Sequence, residues 1–240
     1  MVAGSSPAAG ASSPRWAGRG RFLHVGRLSF LAPLTWPSIS VVFGAACPTS
    51  CTVTLGAWPD LVALFEQGGD PRRRGCAWYR VRAKEISLPG VAEHRERLRA
   101  LASQDRPPGL LADVGDEAVG WVSFGPRSSF ERLTHSKVLA PLDDGPVWSI
   151  VCFVVARRLR GRGIAPALLR AAVEFARARG APALEVYPAD ASHGRIPAAS
   201  AYTGTLSMFE AAGFSVAGHS RPIGGAKPRP IVCLDLEAGS

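Results

Sequence analysis

Between Val147 and Tyr187 the chain reads VWSIVCFVV, ARRLRGRGIAP, ALLRAAVEFARARG and APALEVY. The first run is apolar and rich in Val, Ile and aromatic residues, which predicts a strand over 147–155. Both of its faces are apolar, so it belongs inside a sheet. Ala165, Leu168, Leu169, Ala172, Val173 and Ala176 recur at helical spacing and predict an amphipathic helix. Pro166 fits only in the first turn of that helix, where its missing N–H costs nothing. Arg177 and Arg179 sit where the dipole favours cations, Gly180 suits the helix end and Pro182 bars continuation. A second strand follows in LEVY. The whole is a strand, a turn, a helix and a strand, a βαβ unit around a basic turn.

That turn is Arg158-Leu159-Arg160-Gly161-Arg162-Gly163. Two glycines two apart let the backbone curl with its N–H groups inward and no Cβ in the way. N–H groups at a helix N-terminus attract phosphate, and arginine adds charge suited to it. A lone Gly-x-Gly reads as an ordinary turn with solvated arginines. Here the turn, the helix and both strands agree, which favours the phosphate reading.

Arg158, Gly161 and Gly163 fill the pattern Arg/Gln-x-x-Gly-x-Gly/Ala between a strand and a helix. This resembles the acyl-CoA loop of the GNAT N-acetyltransferase superfamily. Downstream, Met208-Phe209-Glu210-Ala211-Ala212-Gly213-Phe214 resembles that superfamily's late helix, which ends in Gly-Phe and leads into a strand. The resemblance covers residues 51–236, and it implies an α/β (α+β) fold: a mixed, mostly antiparallel central sheet with a splayed strand pair and flanking helices. It divides the chain into a low-complexity extension over 1–49, expected to be disordered, and a GNAT-like N-acetyltransferase domain over 50–240.

What the resemblance implies for chemistry is an acyl-CoA-dependent N-acyltransferase with acetyl-CoA as co-substrate. Backbone groups of Phe153, Val154 and Val155 would hold the pantetheine arm. The run Arg158, Arg160, Gly161, Arg162, Gly163, Ile164 and Ala165 would cradle the pyrophosphate. A primary amine would attack the thioester directly, with a strand N–H stabilising the oxyanion. Both reactants would share one cleft, which removes much of the entropic barrier. The resemblance further implies a cytoplasmic enzyme and is compatible with a homodimer.

Many members of the superfamily carry a tyrosine four residues before the Gly of Gly-Phe, as the acid that protonates the leaving thiolate. This chain has Phe209 there, which the resemblance places among the cofactor-binding residues. Tyr202 lies seven residues earlier and either replaces that acid or stands with its hydroxyl in water, leaving solvent to protonate the thiolate. Glu185, among apolar neighbours, reads either as the general base or as the partner of a nearby arginine. Asp190 and His193 are weaker candidates in a following loop, and Tyr187 either lines the acceptor pocket or packs.

Two other functions are legible. Phe209 keeps open a binding module that holds acyl-CoA without turnover. Gly161-Arg-Gly163 with Glu185 downstream also starts like a dinucleotide fingerprint of an oxidoreductase. Against it, Pro166 takes the third glycine's place, a polar basic run precedes the first glycine, and too little βα alternation remains.

The net charge is +9, and four arginines, Arg15, Arg19, Arg21 and Arg27, precede Cys47 without an acidic residue. No aromatic-interleaved basic stripe or zinc-finger spacing accompanies the charge, so a nucleic-acid partner is not expected. The start, VAGSSPAAGASSP, is low-complexity. The apolar stretch over 28–47 resembles a signal segment in part, but Pro33 and Pro37 interrupt it, and no membrane partner is expected. The five cysteines have no regular spacing, which argues against a disulfide framework and against a metal. Cys152 and Cys233 are expected to pack as small hydrophobes.

The rest reads as one domain. A strand is predicted over 52–55, a helix capped by Asp60 with Leu61, Leu64 and Phe65 inward, and a basic aromatic loop over 71–80. A helix over 91–103 would turn Leu98, Leu101 and Ala102 inward. A hairpin is predicted around Gly115-Asp116, and strands over 214–217 and 231–236. The long connection over 125–146 carries Arg127, Phe130, Arg132 and His135, and either shapes the acceptor pocket or is a surface insert.

Overall fold

The computed structural model describes residues 39–41, 51–54, 58–67, 71–72, 76–82, 90–102, 107–191, 196, 201–222 and 228–237. His193 and Arg73-Arg74 lie outside the described residues, as does the 1–49 extension except for three residues. Eight strands form one sheet: β1 (Ile39–Val41), β2 (Cys51–Thr54), β3 (Gly109–Val114), β4 (Glu117–Pro126), β5 (Trp148–Val155), β6 (Ala183–Val186), β7 (Ser215–His219) and β8 (Pro230–Asp235). Their spatial order is β1-β2-β3-β4-β5-β6-β8-β7. Every neighbouring pair is antiparallel except β5 with β6. A doubly wound dinucleotide fold needs a run of parallel strands, so the oxidoreductase alternative does not fit this sheet.

The helices are α1 (Trp58–Glu66), α2 (Val91–Ala102), α3 (Glu131–Thr134), α4 (Ile164–Ala178) and α5 (Leu206–Glu210). Side chains alternate along a strand, and β4 shows which helix owns which face. A Cβ added at Gly120 would lie 2.7 Å from a methyl of Ile164 on α4, so this glycine lets α4 settle onto the sheet. Phe124, on the same face, meets Phe175 of α4 edge-on at 5.4 Å. Trp121 points the other way and meets Phe65 of α1 at 6.5 Å. Helix α4 buries Leu168, Leu169, Ala172 and Ala176 of the predicted stripe, leaves Ala165 and Val173 half-buried, adds Phe175 to the buried face, and has Pro166 in its first turn.

The strand, hairpin and βαβ expectations hold, with three local corrections. Helix α1 begins at Trp58, so Asp60 is a first-turn acid near the helix dipole rather than the cap. In α2, Leu98 is buried, while Leu101 and Ala102 are only half-buried and His94 takes an inward place. Phe130 is fully buried, packed with Tyr79, Leu133 and Tyr187, instead of lining a pocket.

Candidate active site

Strand β5 is paired unequally on its two sides. It pairs with β4 as far as Val155, with Val151 as an extra residue in the register between Ile150 and Cys152. It pairs with β6 only through Trp148, Ser149 and Ile150. Beyond Ile150 the parallel pair opens, and one edge of Val151–Val155 loses its strand partner. The continuation of β6 is drawn elsewhere: Ala189 N–H donates to the Gly204 carbonyl at 2.9 Å, and Leu206 N–H donates to the Ala189 carbonyl at 3.0 Å. Those two bonds tie Ala189 to the turn that leads into α5 rather than to β5. Phe153 is buried, while Val154 and Val155 are half-buried.

At the open end of β5 the chain makes one tight turn over Arg157–Leu159 and enters α4. Gly161 has φ 75° and Gly163 has φ 82°, the left-handed region that side chains rarely adopt. Gly163 is the N-cap of α4 and has no side-chain cap. Leu159 N–H and Arg162 N–H find acceptors inside the turn. The N–H groups of Gly161, Gly163, Ile164 and Ala165 have no backbone acceptor among the described residues. A Cβ built at either glycine meets nothing within 4 Å, so the turn is open around both glycines. Arg158, Arg160 and Arg162 are exposed around them. Arg158 pairs with Glu117, also exposed. An exposed pair of this kind is worth at most about 1 kcal/mol, so its guanidinium is readily redirected to an anion.

The opposite face of the sheet carries the other candidates. Glu185 and Arg127 are buried, and Arg127 Nη1 contacts both Glu185 Oε1 and the Tyr187 hydroxyl. Tyr187 in turn donates to Glu185 Oε1. Arg127 Nη2 donates to the Leu139 carbonyl at 2.7 Å. Burial, then the Glu185 charge, pushes the Tyr187 phenol far above its ordinary value, so it keeps its proton. The structure thus places Glu185 as the partner of an arginine. Of the long connection, Arg127 locks onto the sheet, Arg132 stacks over Trp78 at 4.0 Å, and His135 is exposed beside Glu131.

Tyr202 stands on a separate turn, Ala201–Thr203, that packs against β5. Its ring lies 6.4 Å from that of Tyr79, tilted against it. Burial first, then Tyr202, raises the Tyr79 phenol well above its ordinary value. Tyr79 was not a sequence candidate; the only signal was the aromatic pair Trp78-Tyr79 in a basic loop. Phe209 is fully buried, with Phe153 at 6.2 Å and Phe214 at 5.2 Å. A Phe209→Tyr variant is therefore expected to lose about 1–3 kcal/mol of stability in urea melts, because its hydroxyl would lack a partner.

A cavity of about 780 Å³ lies at the other end of β5, lined by Arg127, Asp143, Trp148, Pro182 and Glu237 among others, remote from the glycine turn. Among the described residues no His, Cys, Asp and Glu cluster could hold a metal ion, and no helix is long and apolar enough to cross a membrane.

Residues 77–202 match the profile of the Acetyltransferase (GNAT) family, which spans the hairpin, the splayed strand, the glycine turn and Tyr202. Among solved structures, an uncharacterised protein from Bacillus halodurans is similar at 10% identity and a TM-score of 0.53, over 82% of this chain and 89% of that one. A Salmonella typhimurium protein described as an acetyltransferase, with its cofactor acetyl-CoA, is similar at 17% identity and TM-score 0.49, over 78% and 94% of the two chains. A ribosomal-protein-alanine N-acetyltransferase from Brucella melitensis is similar at 21% identity and TM-score 0.49, over 76% and 98%. Such identities speak for the fold alone. No curated protein sequence matches the chain.

Proposed function

Because the chain belongs to the acetyltransferase (GNAT) family, we propose that it is an acyl-CoA-dependent N-acyltransferase that moves acetyl from acetyl-CoA to a primary amine in a ternary complex. One observation carries the reading: the splayed end of β5 runs directly into a turn open around Gly161 and Gly163, where the N–H groups of Gly161, Gly163, Ile164 and Ala165 have no backbone acceptor among the described residues. The donors fit a pyrophosphate. Arg158, Arg160 and Arg162 add the charge a phosphate-rich ligand needs. The edge of Phe153, Val154 and Val155 is free to hold the pantetheine amides. Acetyl-CoA supplies an activated thioester and a thiol leaving group; the chain binds, orients and moves protons. A β5 N–H at the opening would stabilise the developing oxyanion.

Tyr202 is the acid we assign. Its turn lies against β5, and its ring packs on that of the buried Tyr79. Phe209, in the core, has no proton to give. Glu185 is not carried forward as the base, since its carboxylate is engaged by Arg127 and Tyr187; its role is to fix the acceptor face. Tyr202→Phe is expected to lower kcat roughly 10²-fold, the low end for general acid catalysis, with acetyl-CoA affinity unchanged. A thiol-release assay with a panel of primary amines measures it. An unchanged kcat would transfer protonation to solvent.

The cytoplasm, where acyl-CoA is available, is the compartment this reading requires. Phe209 also favours a second reading, an acyl-CoA-binding module, and absence of amine-dependent thiol release from a protein that binds acetyl-CoA would select it. The segment before Cys51 enters the described sheet only through β1, at the edge farthest from β7 and with β2, β3 and β4 between it and β5. Deleting residues 1–49 should therefore leave acetyl-CoA affinity unchanged in calorimetry. Loss of binding would show that the segment packs on the catalytic domain.

A further inference from the structure

Cys76 and Cys152 come from distant parts of the chain, yet their sulfurs lie 3.3 Å apart in a thiol–thiol hydrogen bond. Both remain thiols. Cys152 follows the extra residue Val151 on β5, where the strand has just left β6. Cys76 stands in a turn and holds φ 52°, a left-handed conformation unusual for a residue with a side chain. Both pack with the cluster that holds Tyr79, Tyr187 and Tyr202. Cys152 is buried and Cys76 half-buried, so Cys76 is the sulfur that solvent reaches first.

A disulfide needs its sulfurs at about 2.05 Å, so closing this pair takes a movement of little more than ~1 Å. The turn at Cys76 can supply it; β5, hydrogen-bonded to β4, need not move. We infer that Cys76 and Cys152 are an oxidisable dithiol, a reversible disulfide site that staples the segment of Tyr79 to the splayed strand. With a hydroperoxide as oxidant, the Cys76 thiolate attacks a peroxide oxygen and the O–O bond breaks. This leaves a sulfenic acid on Cys76 and releases water once the leaving oxygen takes a proton. The Cys152 thiol then attacks the Cys76 sulfur, the S–O bond breaks, a second water leaves and the S–S bond forms. The two thiols give up two electrons and two protons, and one hydrogen peroxide becomes two waters. Tyr79 lies against Tyr202, so the bond would fix the wall beside the proposed acid. That consequence, unlike the oxidation itself, rests on the acetyltransferase reading.

The test exposes the full-length protein to hydrogen peroxide, alkylates it, digests it and maps the peptides by mass. The expected product is one Cys76–Cys152 cross-linked peptide. Its formation removes two titratable thiols, raises the melting temperature and reverses with dithiothreitol. Cys76→Ser and Cys152→Ser should each abolish it. If Cys152→Ser fails to fold, Cys76→Ser, altered in the half-buried turn, serves as the control. Alkylation of both cysteines after oxidation, a bond from Cys76 to Cys47 or Cys51, or sulfinic acid at Cys76 alone would each overturn the assignment. A protein that forms the bond but transfers no acetyl group leaves the dithiol standing and removes the enzymatic reading. A protein that transfers acetyl without forming the bond does the reverse.

Discussion

Replacing Gly161 or Gly163 by valine is expected to abolish acetyl-CoA binding while the domain stays folded. The reason is not a clash inside the protein, because a Cβ at either position meets nothing within 4 Å. It is twofold. Both residues sit at positive φ, where a β-branched residue is a genuine outlier costing about 1–3 kcal/mol. The turn would escape that cost by changing its backbone, which turns the N–H groups away from the phosphates. Hydrogen bonds to a charged group contribute about 1.5–3 kcal/mol each. Losing two weakens affinity roughly 100-fold or more. The turn is exposed, so far-ultraviolet circular dichroism should be unchanged. Calorimetry that finds parental affinity in either valine variant would remove the loop from the site.

Arg127→Met should cost about 3–5 kcal/mol of stability, the penalty for stranding one member of a buried ion pair. Glu185 would keep only the Tyr187 hydroxyl, in a place where both are buried. The carbonyl of Leu139 would also lose its shorter hydrogen bond, at 2.7 Å, and keep only the Tyr187 hydroxyl at 3.4 Å. The double variant Arg127→Met with Glu185→Leu removes both charges and should recover most of the loss, since an apolar replacement of a buried pair is often neutral. Urea unfolding of the parent, both single variants and the double variant closes the cycle. Additive losses would show that the two side chains act independently, against the contact between them.

The two predictions also mark what was legible in the sequence. The βαβ unit and its glycine turn were readable because their determinants are local. Helical spacing in 164–178, Pro166 in the first turn and two glycines with no side chain to obstruct them all act within a few residues. The hairpin at Gly115-Asp116 was local in the same way. The partners of the site were not. Arg127 meets Glu185 across 58 positions of sequence, and Tyr79 meets Tyr202 only once the sheet has formed. Nothing in either segment names the other. The splay depends on where Ala189 finds its hydrogen bonds, a choice made between strands rather than along one. Strand β8 enters between β6 and β7, and no periodicity encodes that order. Phe209 differs again: its motif position marks it for the cofactor, and packing against Phe153 and Phe214 puts its ring in the core.

The opened end of β5 and its glycine turn together form the proposed acyl-CoA site. A thermal-shift panel of the full-length protein with acetyl-CoA, CoA, NAD and ATP tests it most directly, because a ligand that binds only the folded state raises the melting temperature. At about 100 times its dissociation constant a ligand adds roughly 2.7 kcal/mol, a rise of about 5–10 °C for a domain of this size. That rise is expected with acetyl-CoA and CoA, and its loss in Gly163→Val. A rise with NAD instead, or none with acetyl-CoA, would contradict it.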